Sequence, residues 1–150
     1  MDSFSNDLDA LQAALRSLFQ TMKRPQQWAE ISARAGVTLD RPAGGIIQVL
    51  AAHDGMRIQD IATALGIEAP SATRKSQELE QAGYVERQAD PKDRRAVCLQ
   101  LTAKGQETAT KLQAAHRDIL GTALTDWTAD ERQSFIDLLN RFATNIRNNK

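Results

Sequence analysis

Hydrophobic residues recur every three or four positions over the first part of the chain. The stripe begins at Leu8, and its period places these side chains on one face of an α-helix of about four turns. Pro25 interrupts the pattern, and a stretch from Trp28 to a stop near Gly36 continues it as a kinked or second helix. The members of the first stripe are Leu8, Leu11, Leu15, Leu18, Phe19 and Met22.

The middle of the chain changes to short helices that are separated by glycines. Asp40 precedes an apolar segment over 46–50, and a helix of roughly two turns then ends at Gly66. Pro70 suits the first turn of the next helix, which runs to about residue 82. Two short helices joined by a tight turn form the helix-turn-helix pattern.

A β-hairpin and two longer helices complete the pattern. Residues 84–87 and 96–101 are typical of two strands, and the charged segment 88–95 is typical of the turn between them. Thr102 is expected to cap the helix that follows, and Thr128 with Glu131 forms a capping-box pattern before the last helix. Apolar stripes run from Leu112 to Ala123 and from Phe135 to Ile146.

These elements together predict a mainly α-helical protein with a small β-hairpin. The fold is a winged helix-turn-helix with long N- and C-terminal dimerisation helices. We expect one compact domain, in which 1–40 and 105–150 supply the dimerisation helices and 41–104 the DNA-binding region. The dimer follows because a small winged-helix core cannot cover the apolar stripes of both terminal helices. Packing of those two helices within one chain is the alternative.

Composition restricts the possible functions. The 150 residues include 19 Lys plus Arg and 19 Asp plus Glu, so the net charge is zero and any nucleic-acid binding depends on local clusters of charge. One cysteine, Cys98, excludes an internal disulfide, and no segment reaches the ~20 apolar residues of a spanning helix. The polar N-terminus is unlike a signal peptide, so a cytoplasmic location without a membrane partner is expected. No catalytic motif and no metal-ligand cluster is present, so neither an enzyme nor a cofactor is expected.

The second helix of the helix-turn-helix carries side chains suited to reading DNA. Ser71, Thr73, Arg74 and Gln77 lie on one broad face of this helix. Arginine can bind guanine with two hydrogen bonds, glutamine can bind adenine in the same way, and hydroxyls bind phosphates or bases. The pattern therefore predicts that this helix enters the major groove.

The hairpin turn concentrates positive charge. Four cations, Arg87, Lys92, Arg94 and Arg95, stand against two aspartates, which leaves a local excess of two positive charges. Arginines at a narrow loop tip can enter the minor groove of DNA. We expect Asp90 and Asp93 to orient these arginines through charge-assisted hydrogen bonds.

The same segment resembles a known family signature. "DPKDRRAVCLQLTAKG" resembles the wing motif of the MarR family of bacterial transcriptional regulators, and "IQDIATALGI" and "LEQAGYVER" resemble its helix-turn-helix and helix-to-wing junction. The matching wing positions are Asp90, Asp93, Arg95, Leu99, Leu101, Thr102 and Gly105, with Lys92 in place of the first arginine. The sequence departs from the usual pattern of the family in two places. One is the polar pair Lys75 and Ser76, and the other is the glycine pair at 44 and 45.

The resemblance implies a homodimer that binds a palindromic operator in double-stranded DNA, usually as a repressor. It also implies release by a small aromatic or phenolic effector that is held near the dimer interface. Arg74 would then read the major groove, and Arg94 or Arg95 the minor groove.

Two residues are candidates for contact with such an effector. The Trp28 ring could stack on an aromatic ligand or pack in the core, and His116 could bind a ligand or lie packed in its apolar stripe. A different class of function stays open as well. The chain could be a protein-interaction module that kept the winged helix but lost the reading of DNA, although its three candidate DNA-contacting arginines argue against that.

Overall fold

The computed structural model describes residues 3–148, and its elements follow the predicted order. Seven helices and one two-stranded antiparallel hairpin are present in this range, so the winged helix-turn-helix fold class is confirmed. The elements are α1 (Ser3–Met22), α2 (Pro25–Ala35), α3 (Arg41–Ala51), α4 (Ile58–Leu65), α5 (Ala69–Gln81), β1 (Val85–Ala89), β2 (Val97–Leu101), α6 (Ala103–Ala123) and α7 (Ala129–Asn148).

The described residues divide into two compact units. The first unit extends to Ala115, and the second begins at His116, within α6. The predicted boundaries at residues 40 and 104, and the prediction of one compact domain, stay predictions. None of the helices between residues 3 and 148 is both long and apolar enough to cross a membrane.

The core of the first unit surrounds α3. Ile46, Ile47 and Leu50 on this helix are buried, and side chains from the other elements pack in the same core. The contributors from outside α3 include Ile61, Leu79, Val85, Leu99 and Leu112. The helix-turn-helix and the wing are thereby built onto one apolar centre, which gives them a common support.

The glycine pair of α3 has a packing reason at its first position. A Cβ atom on Gly44 would overlap the indole ring of Trp28. The indole Nε1 also donates a hydrogen bond to the Leu39 carbonyl at 2.7 Å, which ties α2 to the start of α3. Asp40 caps α3 by accepting a hydrogen bond from Ala43 N at 2.9 Å. The glycine that weakens the helix locally is what allows α2 to lie close to it.

The wing, which consists of β1, β2 and the turn between them, does not bury its residues in simple alternation. In the β1–β2 register Gln88 pairs with Cys98 and Ala89 with Val97. Val97 is half exposed, whereas Cys98 is buried, because Cys98 lies against the loop that contains Gly55. Burial along β2 therefore follows the loop packed against it, and the period-two pattern alone does not describe it.

The second unit contains α7, whose start matches the sequence prediction. Glu131 accepts a hydrogen bond from Thr128 N at 2.7 Å, and Glu131 N donates to Thr128 Oγ1 at 3.2 Å, so the capping box is formed. Trp127 contacts Phe135 edge to face, with ring centroids 5.3 Å apart. No residue of α7 is buried in the described chain.

Candidate nucleic-acid interface

The turn between α4 and α5 sets the exposed face of α5. Gly66 ends α4 in the left-handed conformation with φ 64°, which a residue with a side chain adopts only at a cost. Helix α5 then buries Ala72, Ser76 and Leu79 against the core. The opposite face is left to solvent, as the helix-turn-helix pattern predicts.

The predicted recognition residues lie on that outer face. Ser71, Arg74 and Gln77 are exposed, and Thr73 is half-buried. The Thr73 hydroxyl donates a hydrogen bond to the Ala69 carbonyl at 3.0 Å, so its oxygen is left as an acceptor. These four side chains offer both donors and acceptors along two turns of one helix.

Lys75 and Ser76, the polar departures within α5, have different environments. The Lys75 ammonium lies 2.7 Å from Asp40 Oδ2 and also contacts Glu78, and the hydrogen bonds that it donates to these two carboxylates raise the pKa of Lys75. Lys75 therefore links α5 to the start of α3. The Ser76 hydroxyl is fully buried and has no hydrogen-bond partner among the described residues.

The two wing aspartates hold the backbone of the turn. Asp90 Oδ1 accepts a hydrogen bond from Lys92 N at 2.9 Å, and Asp93 Oδ1 accepts one from Arg95 N at 3.0 Å. The structure shows no bond from either carboxylate to the side chain of Arg94 or Arg95 within residues 3–148. The aspartates thus shape the wing, but they do so through its amides and not by gripping the arginine side chains as the sequence reasoning expected.

Arg57 is the residue that sequence reasoning missed. It directly precedes α4, and its Nε and Nη2 atoms each lie 2.8 Å from Asp90 Oδ2. The hydrogen bond from Lys92 N and the Arg57 guanidinium hold the pKa of Asp90 below its ordinary value. The sequence contains one signal for this role. Arg57 occupies the N-cap position of α4, where helices prefer Ser, Thr, Asp or Asn.

Cys98 lies beside this ion pair. Burial first, and then the neighbouring Asp90 carboxylate, raise the pKa of the Cys98 thiol. The thiolate is the reactive form of cysteine, so this environment disfavours redox chemistry at Cys98.

The cations of this region fall into two sets. Arg57, Lys75 and Arg87 are each ion-paired with at least one carboxylate. No described Asp or Glu lies within 4.0 Å of the cationic groups of a second set, and all its members are exposed. That set consists of Arg74, Lys92, Arg94 and Arg95. Their charges are therefore available to an external anion.

The two candidate effector residues occupy different units. Trp28 belongs to the first unit, where it is half-buried against Gly44. His116 is the first residue of the second unit and is also half-buried. Between residues 3 and 148 no three His, Cys, Asp or Glu side chains are grouped so that they could hold a metal ion.

Part of the chain matches the model of a known protein family. Residues 40–97 match the model of the MarR family. YwhA of Bacillus subtilis (strain 168), named an uncharacterized HTH-type transcriptional regulator, is 26% identical over 139 residues, which cover 91% of this chain and 99% of YwhA.

Solved structures share the fold over nearly the whole length. A MarR family protein from Bacillus stearothermophilus matches with a TM-score of 0.82 at 19% identity, covering 98% of this chain and 99% of that chain. Streptococcus pneumoniae FabT, solved in complex with DNA, matches with a TM-score of 0.72 at 19% identity, covering 95% and 99%. The helix-turn-helix and most of the wing, residues 40–97, therefore match the MarR family, and the fold of the chain is similar to that of these two solved structures.

Proposed function

We propose that the protein is a homodimeric repressor that binds a palindromic operator in double-stranded DNA and acts in the cytoplasm. The observation that carries this proposal is the set of exposed, unpaired cations on α5 and the wing. Arg74 on α5 and three cations within four residues of the wing turn give a chain with no net charge a local positive cluster on the two elements that a winged helix presents to DNA. FabT, a structure with the same fold, was solved with DNA, which agrees with this use of the surface.

Each element has its own part in the proposed complex. Helix α5 enters the major groove, where Arg74 binds guanine and Gln77 binds adenine, while Ser71 and Thr73 contact phosphates or base edges. The wing lies along the adjacent minor groove. The wing cations that reach this groove are Lys92, Arg94 and Arg95.

Exposed apolar side chains support the dimer. Neither α1 nor α7 buries any residue within the described chain, although both carry large apolar side chains. Leu18 on α1 is 50% exposed and Leu138 on α7 is 54% exposed. A second copy of the chain would cover such faces. It would also place the two α5 helices of the dimer about one helical turn, ~34–36 Å, apart on the operator.

A small aromatic or phenolic effector is the proposed release signal. Trp28 and His116 are the proposed contacts for it. The Trp28 indole holds the Leu39 carbonyl, and Leu39 lines a cleft of about 210 Å³ whose lining also includes the charged residues Asp40, Lys75 and Glu78. Neither Trp28 nor His116 lines this cleft, and its volume is below the roughly 300–1,000 Å³ of typical ligand pockets, so the proposed effector contacts do not rest on it. An effector releases the operator only if it binds more tightly to a form of the dimer in which the spacing of the two α5 helices does not match the operator.

The proposal is tested by binding to duplexes from the region upstream of the protein's own coding sequence. Fluorescence anisotropy should show specific binding that weakens steeply with salt, because phosphate contacts release counterions. Arg74→Ala and Arg95→Ala should each weaken specific binding by roughly 1–3 kcal/mol. Arg34→Ala is the matched control, because Arg34 is an exposed arginine already paired with Glu30 on α2.

Equal binding by all three variants and the unchanged protein would reject the assignment of these contacts. Absence of binding to every duplex, together with capture of a protein partner through α5, would favour the interaction module instead. For the effector, a thermal-shift screen of phenols and aromatic carboxylates finds ligands of the native protein, and release of bound duplex identifies those that regulate it.

A further inference from the structure

An ion pair joins the base of the wing to the first helix of the helix-turn-helix. The Arg57 guanidinium contacts Asp90 Oδ2 through two nitrogen atoms at 2.8 Å, and Nη2 lies 3.9 Å from Asp93 Oδ2. Asp90 is buried, and its second oxygen accepts the hydrogen bond from Lys92 N. Both oxygens of this carboxylate are therefore engaged, one by α4 and one by the wing turn.

Arg57 is poorly suited to its own helix. It is the N-cap residue of α4 and makes no capping hydrogen bond. A Ser, Thr, Asp or Asn at this position would stabilise the helix by about 1 kcal/mol, and a cation at a helix N-terminus opposes the helix dipole. The side chain acts instead on a carboxylate 33 positions away in the sequence. Its role is thus in the contact between elements and not in the start of α4.

The backbone next to Arg57 strengthens the same connection. Met56 N donates to the Leu99 carbonyl at 3.0 Å, and Leu99 N donates to the Met56 carbonyl at 2.8 Å. This bridge fixes the approach to α4 against β2, while the Arg57 side chain holds the residue that follows β1. Both strands of the wing are therefore tied to one short segment before α4.

We propose that Arg57 is a positioning residue, which through Asp90 fixes the direction of the wing relative to the recognition helix α5. The exposed cations at the wing tip can then reach DNA while α5 lies in the major groove. Loss of the ion pair leaves the face of α5 intact but lets the wing pivot about its base. The DNA part of this inference rests on the proposed function, whereas the effect on the wing does not.

The first test needs no DNA. Hydrogen–deuterium exchange of the full-length protein should show faster exchange over residues 89–97 in both Arg57→Gln and Asp90→Asn, by about threefold or more. Asparagine at 90 keeps an oxygen that can accept the Lys92 hydrogen bond, so this variant removes mainly the ion pair. Arg57→Lys should restore part of the protection, since lysine keeps the charge but not the two-nitrogen geometry.

The second test uses the sign of the charge change. Asp90→Asn removes a negative charge near DNA, so an effect of charge alone would tighten binding. A positioning role predicts the reverse, a weakening of operator binding by about tenfold, with a less steep salt dependence because wing contacts are lost. The double variant Arg57→Gln/Asp90→Asn should bind no worse than the weaker single variant, because both changes break one contact.

Glu80→Gln is the matched control for Asp90→Asn. Glu80 also pairs with an arginine of the wing, Arg87, at 3.0 Å, but the Glu80 side chain is 36% exposed, whereas that of Asp90 is 10% exposed. It should leave wing exchange unchanged and should not weaken DNA binding, because exposed ion pairs contribute little.

The results separate the two proposals. Tighter DNA binding by Asp90→Asn, or unchanged exchange over 89–97 in both variants, overturns the role of Arg57. Faster wing exchange in a protein that binds no duplex supports the positioning of the wing and counts against the proposed function instead. Thermal melting of each variant confirms that the comparison is made between folded proteins.

Discussion

The buried hydroxyl of Ser76 gives a stability prediction with a defined size. Its Oγ atom is fully buried and has no hydrogen-bond partner in residues 3–148, and a buried polar group in this condition costs about 1–3 kcal/mol. Ser76→Ala removes that cost and gains up to about 0.5 kcal/mol of helix propensity within α5. The lost packing of one oxygen atom opposes this by roughly 0.5 kcal/mol. The variant should therefore be more stable by about 1–2 kcal/mol.

Urea unfolding at a fixed protein concentration measures this difference. The transition midpoint should rise while the m-value stays unchanged, and the melting temperature should rise by about 3–8 °C. Ser71→Ala is the control, because Ser71 lies on the exposed side of the same helix and its substitution changes propensity without changing burial. Operator binding by Ser76→Ala should be unchanged, since Ser76 does not reach the surface.

A Ser76→Ala protein no more stable than Ser71→Ala would refute this reasoning. Such a result would mean that the Ser76 hydroxyl is satisfied in solution. The buried hydroxyl of Ser76 would then have no net effect on the free energy of unfolding.

Three further substitutions test other contacts. Gly44→Ala should destabilise the protein by about 1–3 kcal/mol in urea unfolding, because the new Cβ overlaps Trp28. Gly45→Ala is the control and should cost clearly less, since the nearest neighbour of its new Cβ is a flexible leucine side chain. Asp90→Asn should lose stability at neutral pH. Because the folded pKa of Asp90 is lowered, its contribution is complete above the ordinary carboxyl pKa of about 3.9 and is lost as the pH falls through the folded value, so acid titrations of the two proteins should converge there. Thr128→Ala should cost about 1 kcal/mol by removing one half of the capping box of α7, measured by thermal unfolding.

Features that depend on neighbours in sequence were predictable. The period of the apolar positions indicated the helices, and the caps at Thr102 and Thr128 are formed as expected, with Thr102 Oγ1 accepting from Gly105 N at 3.1 Å. The turn at Gly66 is likewise a local requirement of the backbone. These features need only a few consecutive residues, so a single sequence contains enough information to indicate them.

Features that depend on contacts between elements were not predictable. Gly44 looks unfavourable in a helix until the Trp28 ring is seen against it, and Cys98 looks outward-facing until the Gly55 loop covers it. The partner of Asp90 is Arg57, which no local pattern connects to it. A sequence shows the types of residue available for such contacts, but only the folded arrangement shows which pairs form.

The charge of the wing depends on residues that lie outside it. Counted along the sequence, Asp90 and Asp93 cancel half of the four wing cations. In the structure Asp90 is buried and neutralised by Arg57 from outside the wing, so its charge contributes little to the outer face. Asp93 binds a backbone amide of the turn, and the exposed cations of the tip have no carboxylate within ion-pair distance among the described residues. The charge of Arg87 is likewise paired with Glu80, so the outer face keeps Lys92, Arg94 and Arg95 against the carboxylate of Asp93. Neutralising Asp90 by mutation would leave Arg57 without its main carboxylate partner and would add positive charge at the base of the wing. Weaker DNA binding by such a variant would therefore come from the lost support of the wing and not from its charge.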